Sequence, residues 1–188
     1  ALTKYMLEQN KDIGTTTGTV NCIVTECNDS SLNDIRGLHV TEEDVFNALN
    51  SPSDVFEEGA VGSGTGMCCL GFKGGLGSSS RVLYIDEKEY TMGAMVMSNF
   101  GAAGNLTIGG DHIGGRIKEA QDKKKDQGSI IIIIATDIPL SERQLKRVAK
   151  RASISLARTG SYMGNGSGDV AIAFTTSNRI PHYSNKDI

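Results

Sequence analysis

The sequence predicts an α+β fold, and three local patterns carry that reading. Five consecutive isoleucines, Ile130 to Ile134, follow Gly128 and Ser129 and read as a buried strand. Residues 79–86 (SSRVLYID) and 90–99 (YTMGAMVMSN) alternate in character around Glu87-Lys88-Glu89, which predicts a β-hairpin. Leu145, Val148, Ala149, Ala152 and Leu156 recur at helical spacing up to Gly160, behind the capping box Ser141-Glu142-Arg143-Gln144.

In chain order, residues 2–8 are polar and helix-compatible. Residues 18–26 (GTVNCIVTE) are rich in β-branched and small apolar side chains and predict a strand with Glu26 at its mouth. A polar turn at 28–31 precedes Thr41-Glu42-Glu43-Asp44, where a hydroxyl N-cap and a carboxylate three residues on start a short helix. Ser51-Pro52 ends it. Glycine then dominates 59–77, and such a run invites a phosphate-cradling reading. The spacing argues against it: no Lys-Ser or Lys-Thr follows a G-x-x-x-x-G, and the next segment is strand-like rather than helical. Asn99 stands at the end of the hairpin, beside Phe100-Gly101. Residues 118–127 (KEAQDKKKDQ) are dense with charge, and predict an exposed, easily nicked segment directly before Gly128-Ser129. Near the end, 164–169 (GNGSGD) predict a tight turn feeding a strand at 170–174, with Ser167 and Asp169 sharing one face of the strand entry.

Composition bounds the function. With 188 residues, 38% of them hydrophobic and 22% charged, the chain is expected to form a single domain over 1–188. A net charge of -3 with only five Phe and five Tyr argues against nucleic acid as a partner. The isoleucine run is too short to span a bilayer, and residues 1–14 lack the order of a signal peptide, so a soluble, cytoplasmic protein without a membrane partner is expected. Cys22, Cys27, Cys68 and Cys69 form no C-x-x-C pair, and no histidine is spaced to complete a zinc site. They are read as buried reduced thiols, with no metal or cofactor implied.

Ser129 admits two readings: a residue that ends a turn before a strand, or an N-terminal nucleophile released by cleavage of the Gly128-Ser129 bond. A serine hydroxyl needs an adjacent base, and none of His39, His112 or His182 lies in a pairing motif with a serine. A free α-amine, with a reference pKa of about 7.7 to 8.0, is poised to take the Oγ proton near neutral pH and return it to a leaving amine.

Five ordered segments narrow this choice. They are Glu26 with 32–37 (LNDIRG); 59–66 running on to 71–75 (GFKGG) and 79–82 (SSRV); 98–101 (SNFG); Gly128-Ser129 with the isoleucine strand, Asp137, Pro139 and Leu140; and 145–147 (LKR) through 157–160 (ARTG) to 164–169. Together they resemble the DmpA-type aminopeptidases, the family of L-aminopeptidase/D-Ala-esterase/amidases and β-peptidyl aminopeptidases, over residues 18–178. The resemblance implies an αββα four-layer sandwich like that of other N-terminal nucleophile hydrolases, with its own connectivity. It implies autoprocessing between Gly128 and Ser129 into 1–128 and 129–188, with Ser129 as nucleophile and Ser167 and Asp169 as its helper hydroxyl and carboxylate. It further implies Asn99 as oxyanion donor, Glu26 as the residue that binds the substrate amine, a small peptide or amino-acid amide as substrate, and homo-oligomers of processed heterodimers. Two other readings stand beside it. An acyltransferase resembling the ornithine acetyltransferases would use threonine where this chain has Ser129, and a non-catalytic protein would use the glycine loop for a small ligand.

Overall fold

Isoleucine at five successive positions is stable only in a strand covered on both faces, and residues 130–134 occupy such a strand. The structure, a computed structural model, describes residues 1–117 and 127–183; the charged run expected to be exposed lies, from 118 to 126, outside the described residues. In chain order the elements are α1 (Leu2–Gln9), α2 (Glu42–Asn50), β1 (Cys68–Cys69), β2 (Phe72–Lys73), β3 (Gly75–Ile85), β4 (Lys88–Asn99), β5 (Thr107–Ile108), β6 (Asp111–His112), β7 (Gln127–Thr136), α3 (Glu142–Thr159) and β8 (Gly166–Thr175). The centre is a four-stranded sheet of order β3-β4-β7-β8. Its first three strands pair antiparallel, and β7 and β8 pair parallel with α3 as the crossover between them. The fold is therefore α+β, and of the expected four layers the described residues form this sheet and the helix against it.

The alternation of the isoleucines divides the core in two. Ile130 and Ile132 pack with Leu70, Phe100 and, from α3, Ala152 and Leu156. Ile131 faces the other way, against Cys27 and Met67, with Met97 and Ile133 beside it. All five apolar positions predicted for the α3 face are buried or half-buried. The helix starts where expected, since the Ser141 backbone N–H and hydroxyl both donate to Gln144 Oε1, at 2.9 and 2.8 Å. It ends at Gly160, whose φ of +106° suits a glycine C-cap. The short helix α2 likewise carries its capping box, Thr41 with Asp44. No helix among the described residues is long and apolar enough to cross a membrane.

Three expectations need correction. Residues 18–26 form no strand: they carry no regular secondary structure, and Ile23 and Val24 are each 76% exposed. Composition favours a pleated strand there, yet a strand exists only where a second one completes its ladder, and none of the described residues does so. Glu26 accordingly sits in an exposed irregular segment and not at a strand mouth. The hairpin turn lies one step earlier than the acidic triplet suggests: Asp86 and Glu87 take positive φ values of 49° and 62°, and Lys88 already opens β4. Two consecutive left-handed residues match the twist of the flanking strands, which outweighs the absence of glycine. Of the thiols expected to be buried, only Cys27 is; Cys22 is exposed, and Cys68 and Cys69 are half-buried.

The glycine-rich stretch packs backbone on backbone. Gly75, with a φ of +155°, lies so close to Gly59 that an added Cβ would stand 2.2 Å from the Gly59 carbonyl oxygen. Glycine is needed there for the chain's own close approach, which leaves the ligand-cradling reading of the loop without its physical motive.

The division of the core predicts where side-chain deletions matter. Ile132→Ala is expected to destabilise the protein by about 2–5 kcal/mol in urea denaturation, whereas Val82→Ala on the exposed edge strand β3 stays within about 0.5 kcal/mol. Equal effects of the two changes would refute this account of the core.

Candidate active site

The site is built by strand register. In the β4–β7 ladder Asn99 stands opposite Ser129, so the two side chains share one face of the sheet, the face of Ile131 and Met97. Both are buried, Asn99 at 6% and Ser129 at 7% exposure. Immediately before the serine, Gly128 adopts φ +143°, and a Cβ there would lie 1.9 Å from the Asn99 carbonyl oxygen. No residue with a side chain fits at 128 without moving β4 away from β7.

Across the parallel pair, Ser129 is opposite Gly168, while Ser167 is opposite Gly128 and Asp169 opposite Ile130. Ser167 and Asp169 thus project on the α3 face, and Ser129 projects on the other. They share a face with each other, as the sequence suggests, and the Ser167 hydroxyl donates to Asp169 Oδ1 at 2.6 Å. Gly168 leaves the Ser129 side open, since a Cβ on it would stand 3.7 Å from the serine's Cβ. The feature common to both sides is the Ser129 backbone, which runs between them.

Asn99 is held by two hydrogen bonds that fix which end of its amide is which. Its Oδ1 accepts from the Cys68 backbone N–H at 2.9 Å, and its Nδ2 donates to the Asn28 carbonyl at 2.7 Å. Nδ2 carries a second hydrogen, which meets no acceptor among the described residues.

Sequence reasoning missed one buried side chain on the Ser129 face. Cys27 is buried, and burial pushes its thiol up from the ordinary range. The nearby Ser129 hydroxyl offsets part of this, and the Glu26 and Asp169 carboxylates add to the rise. The thiol itself donates to the Met97 carbonyl, at 4.0 Å. A neutral thiol therefore lies on the serine's face of the sheet at neutral pH. Its one sequence signal is adjacency to Glu26. The histidines are engaged elsewhere or exposed: His182 Nε2 pairs with Asp12 Oδ2 at 2.7 Å, His112 Nε2 meets the Gly104 carbonyl at 2.7 Å, and His39 is exposed. Among the described residues no cluster of His, Cys, Asp and Glu is placed to hold a metal ion.

A cavity of about 420 Å³ opens between α3 and the sheet, lined by Ile130, Ile132, Ala152, Leu156, Met163 and Asp169 among others. It lies on the face opposite the Ser129 side chain. Ser129 and Asn99 are accordingly on the other side of the sheet from this cavity.

Comparison with known proteins gives the site a context. The model of the family described as peptidase family S58 matches residues 1–188. The β-peptidyl aminopeptidase BapA of Sphingosinicella microcystinivorans is 41% identical over an alignment of 172 residues that covers 83% of this chain and 43% of that protein. The PH0078 protein of Pyrococcus horikoshii superposes with a TM-score of 0.90 at 56% identity, over 98% of this chain and 51% of that one. The L-aminopeptidase D-Ala-esterase/amidase of Ochrobactrum anthropi, described as a prototype for the serine aminopeptidases and a new variant among the Ntn hydrolase fold, superposes with a TM-score of 0.83 at 41% identity, over 96% of this chain and 50% of that one. The chain spans about half the length of these solved relatives and 43% of the curated one.

The contrast between the cysteines is directly measurable. Iodoacetamide at pH 7.5 is expected to label the exposed Cys22 at least about tenfold faster than the buried, neutral Cys27, as read by peptide mass mapping. Faster labelling of Cys27 would contradict its burial beneath the sheet.

Proposed function

Because the chain belongs to peptidase family S58, we propose that it carries the catalytic strand pair of a self-processing serine aminopeptidase or amidase, with Ser129 as nucleophile. Its fold is of the N-terminal nucleophile hydrolase type. The observation that carries the proposal is the pairing of Ser129 with Asn99 beside a position that only glycine can occupy.

Maturation and turnover use the same atoms. In maturation the Ser129 Oγ attacks the Gly128 carbonyl carbon; an O–C bond forms, the C–N bond breaks, and the hydroxyl proton passes to the nitrogen. Water then hydrolyses the ester, giving a Gly128 carboxylate and a free Ser129 amine. In turnover that amine takes the Oγ proton as the oxygen attacks the substrate carbonyl, and returns it to the departing amine. Water releases the acyl group by the same route in reverse. The second Nδ2 hydrogen of Asn99 stabilises the oxyanion, a contribution of roughly 2.7 to 4 kcal/mol for one such donor in other acyl-transfer enzymes.

Ser167 and Asp169 serve the amine. Their side chains lie on the face opposite the Ser129 side chain, so the group of Ser129 open to them is the backbone nitrogen between the faces, which cleavage turns into the general base. An Asp carboxylate bonded to the intervening hydroxyl favours the transient ammonium. Glu26, exposed and next in the chain to the buried thiol on the Ser129 face, is the partner for the substrate's own ammonium. That assignment makes the enzyme an aminopeptidase, acting on free N-termini of small peptides or amino-acid amides.

Two predictions test this reading. The wild-type protein is expected to separate into two chains at the 128–129 bond by intact mass, while Ser129→Ala stays whole and inactive and Gly128→Ala is cut at least about tenfold more slowly because its Cβ forces β4 and β7 apart. Cleavage of Ser129→Ala at the same bond would rule out self-processing. For the amine site, acetylating the amine of a good substrate is expected to lower kcat/KM by at least about 100-fold, and Glu26→Gln to lose activity on the free amine while narrowing that gap. Blocked and free substrates cleaved alike would remove the aminopeptidase assignment.

A further inference from the structure

We propose that Lys73 is a positioning residue for the oxyanion amide, acting through the one peptide unit that joins Met67 to Cys68; this rests on the reading of Asn99 as the oxyanion donor. The antiparallel pairing of β1 with β2 sets Lys73 opposite Cys68. From there the lysine Nζ donates to three backbone carbonyls, Gly64 at 2.8 Å, Met67 at 3.0 Å and Gly74 at 2.7 Å. The three carbonyls match its three protons, and no carboxylate among the described residues is a partner. The Met67 carbonyl also accepts the Gly74 N–H at 2.8 Å. The other end of that same peptide unit, the Cys68 N–H, is the donor that holds Asn99 Oδ1 at 2.9 Å.

The charge is therefore connected to the proposed oxyanion donor by two amide groups in series. A cation at the Met67 oxygen draws electron density along the peptide and strengthens the Cys68 N–H as a donor. The strengthened bond at Asn99 Oδ1 does the same to the carboxamide, and its Nδ2 hydrogens become better donors in turn. One of these is committed to the Asn28 carbonyl, and the other is the one assigned to the oxyanion. The chemistry also explains why lysine suits the position. Three carbonyls converging on one point match an ammonium with three donor directions, whereas a planar guanidinium presents its donors as a fork. A lysine that merely stapled the glycine loop would stabilise the fold equally in the resting protein and in the transition state. A lysine in this relay acts on the step where charge appears on the substrate oxygen.

The test is a double-variant cycle in the intact protein, with an amino-acid amide as substrate and melting temperature followed alongside. Lys73→Gln, which keeps a donor and loses the charge, is expected to lower kcat about tenfold with KM within about twofold, and to cost less than about twofold once Asn99 is already Ala. Equal losses from Lys73→Gln in both backgrounds, or a change in KM alone, overturn the relay while leaving the role of Asn99 standing. A wild-type kcat in Asn99→Ala would instead overturn the oxyanion assignment and the relay with it. Where turnover is too slow to follow, the rate of cleavage at Gly128–Ser129 gives the same cycle. Should Lys73→Gln fail to fold, Lys73→Arg takes its place: a kcat loss of about threefold that vanishes in the Asn99→Ala background supports the relay, and a loss that persists there overturns it.

Discussion

The candidate site depends on one close approach, that of the Gly128 backbone to the carbonyl of Asn99. Register in most sheets is set by an alternation of apolar and polar residues, because a slip of one position would turn the wrong set toward the core. That safeguard is missing from β7, where isoleucine follows isoleucine and a one-residue slip would exchange like for like on both faces. The contact at Gly128, which no Cβ can share, fixes the alignment at one end. At the other end Thr136 Oγ1 donates to the Thr91 carbonyl at 2.8 Å, and the Thr91 N–H donates to Asp137 Oδ1 at 2.7 Å. An apolar middle with polar latches at both ends places Ser129 opposite Asn99 and nowhere else.

From this alignment the chemical division of labour follows. The strand separates two faces, with the serine hydroxyl, Asn99 and Cys27 on one and the Ser167–Asp169 pair on the other. Among the described residues, the strand register and the core packing put an amide, Asn99, and a buried neutral thiol, Cys27, on the serine's face. The proposed amine base is the backbone nitrogen that runs between the two faces. The glycine-rich loop belongs to the same arrangement, since it brings β1 and its Cys68 N–H to the end of β4.

What was legible in the sequence was what local pattern determines. The isoleucine strand, the α3 helix with its capping box and C-terminal glycine, α2 with Thr41 and Asp44, and the pairing of the two hairpin strands all follow from spacing within a dozen residues. The stretch 18–26 was misread because β-branched composition reports a preference for extended backbone and is silent about a partner strand. The turn was displaced because Asp86 and Glu87 hold left-handed conformations normally left to glycine and asparagine. Ser129, Ser167, Asp169, Asn99 and Glu26 were singled out as candidates through ordered motifs, but the distribution of the first four over two faces required the register. Cys27 carries no motif of its own, and Lys73, though inside the GFKGG segment, was read only as part of a glycine-rich run; one matters through burial and the other through carbonyls that a list of side chains does not display.

The β4–β7 ladder has one more implication. Its eight residue pairs run from Met92–Thr136 to Asn99–Ser129, and the 128–129 bond lies just beyond the last of them. Once that bond is cut, as proposed, β4 and β7 belong to different polypeptides, and an internal ladder becomes a contact between subunits. Loss of the fold is then a dissociation, and its reversal becomes a second-order event that slows as the protein is diluted. Lifetime at working temperature would be governed by how rarely this seam opens and no longer by a folding equilibrium within one chain. A run of isoleucine packed on both sides suits such a seam, because it leaves water no polar foothold from which to part the strands.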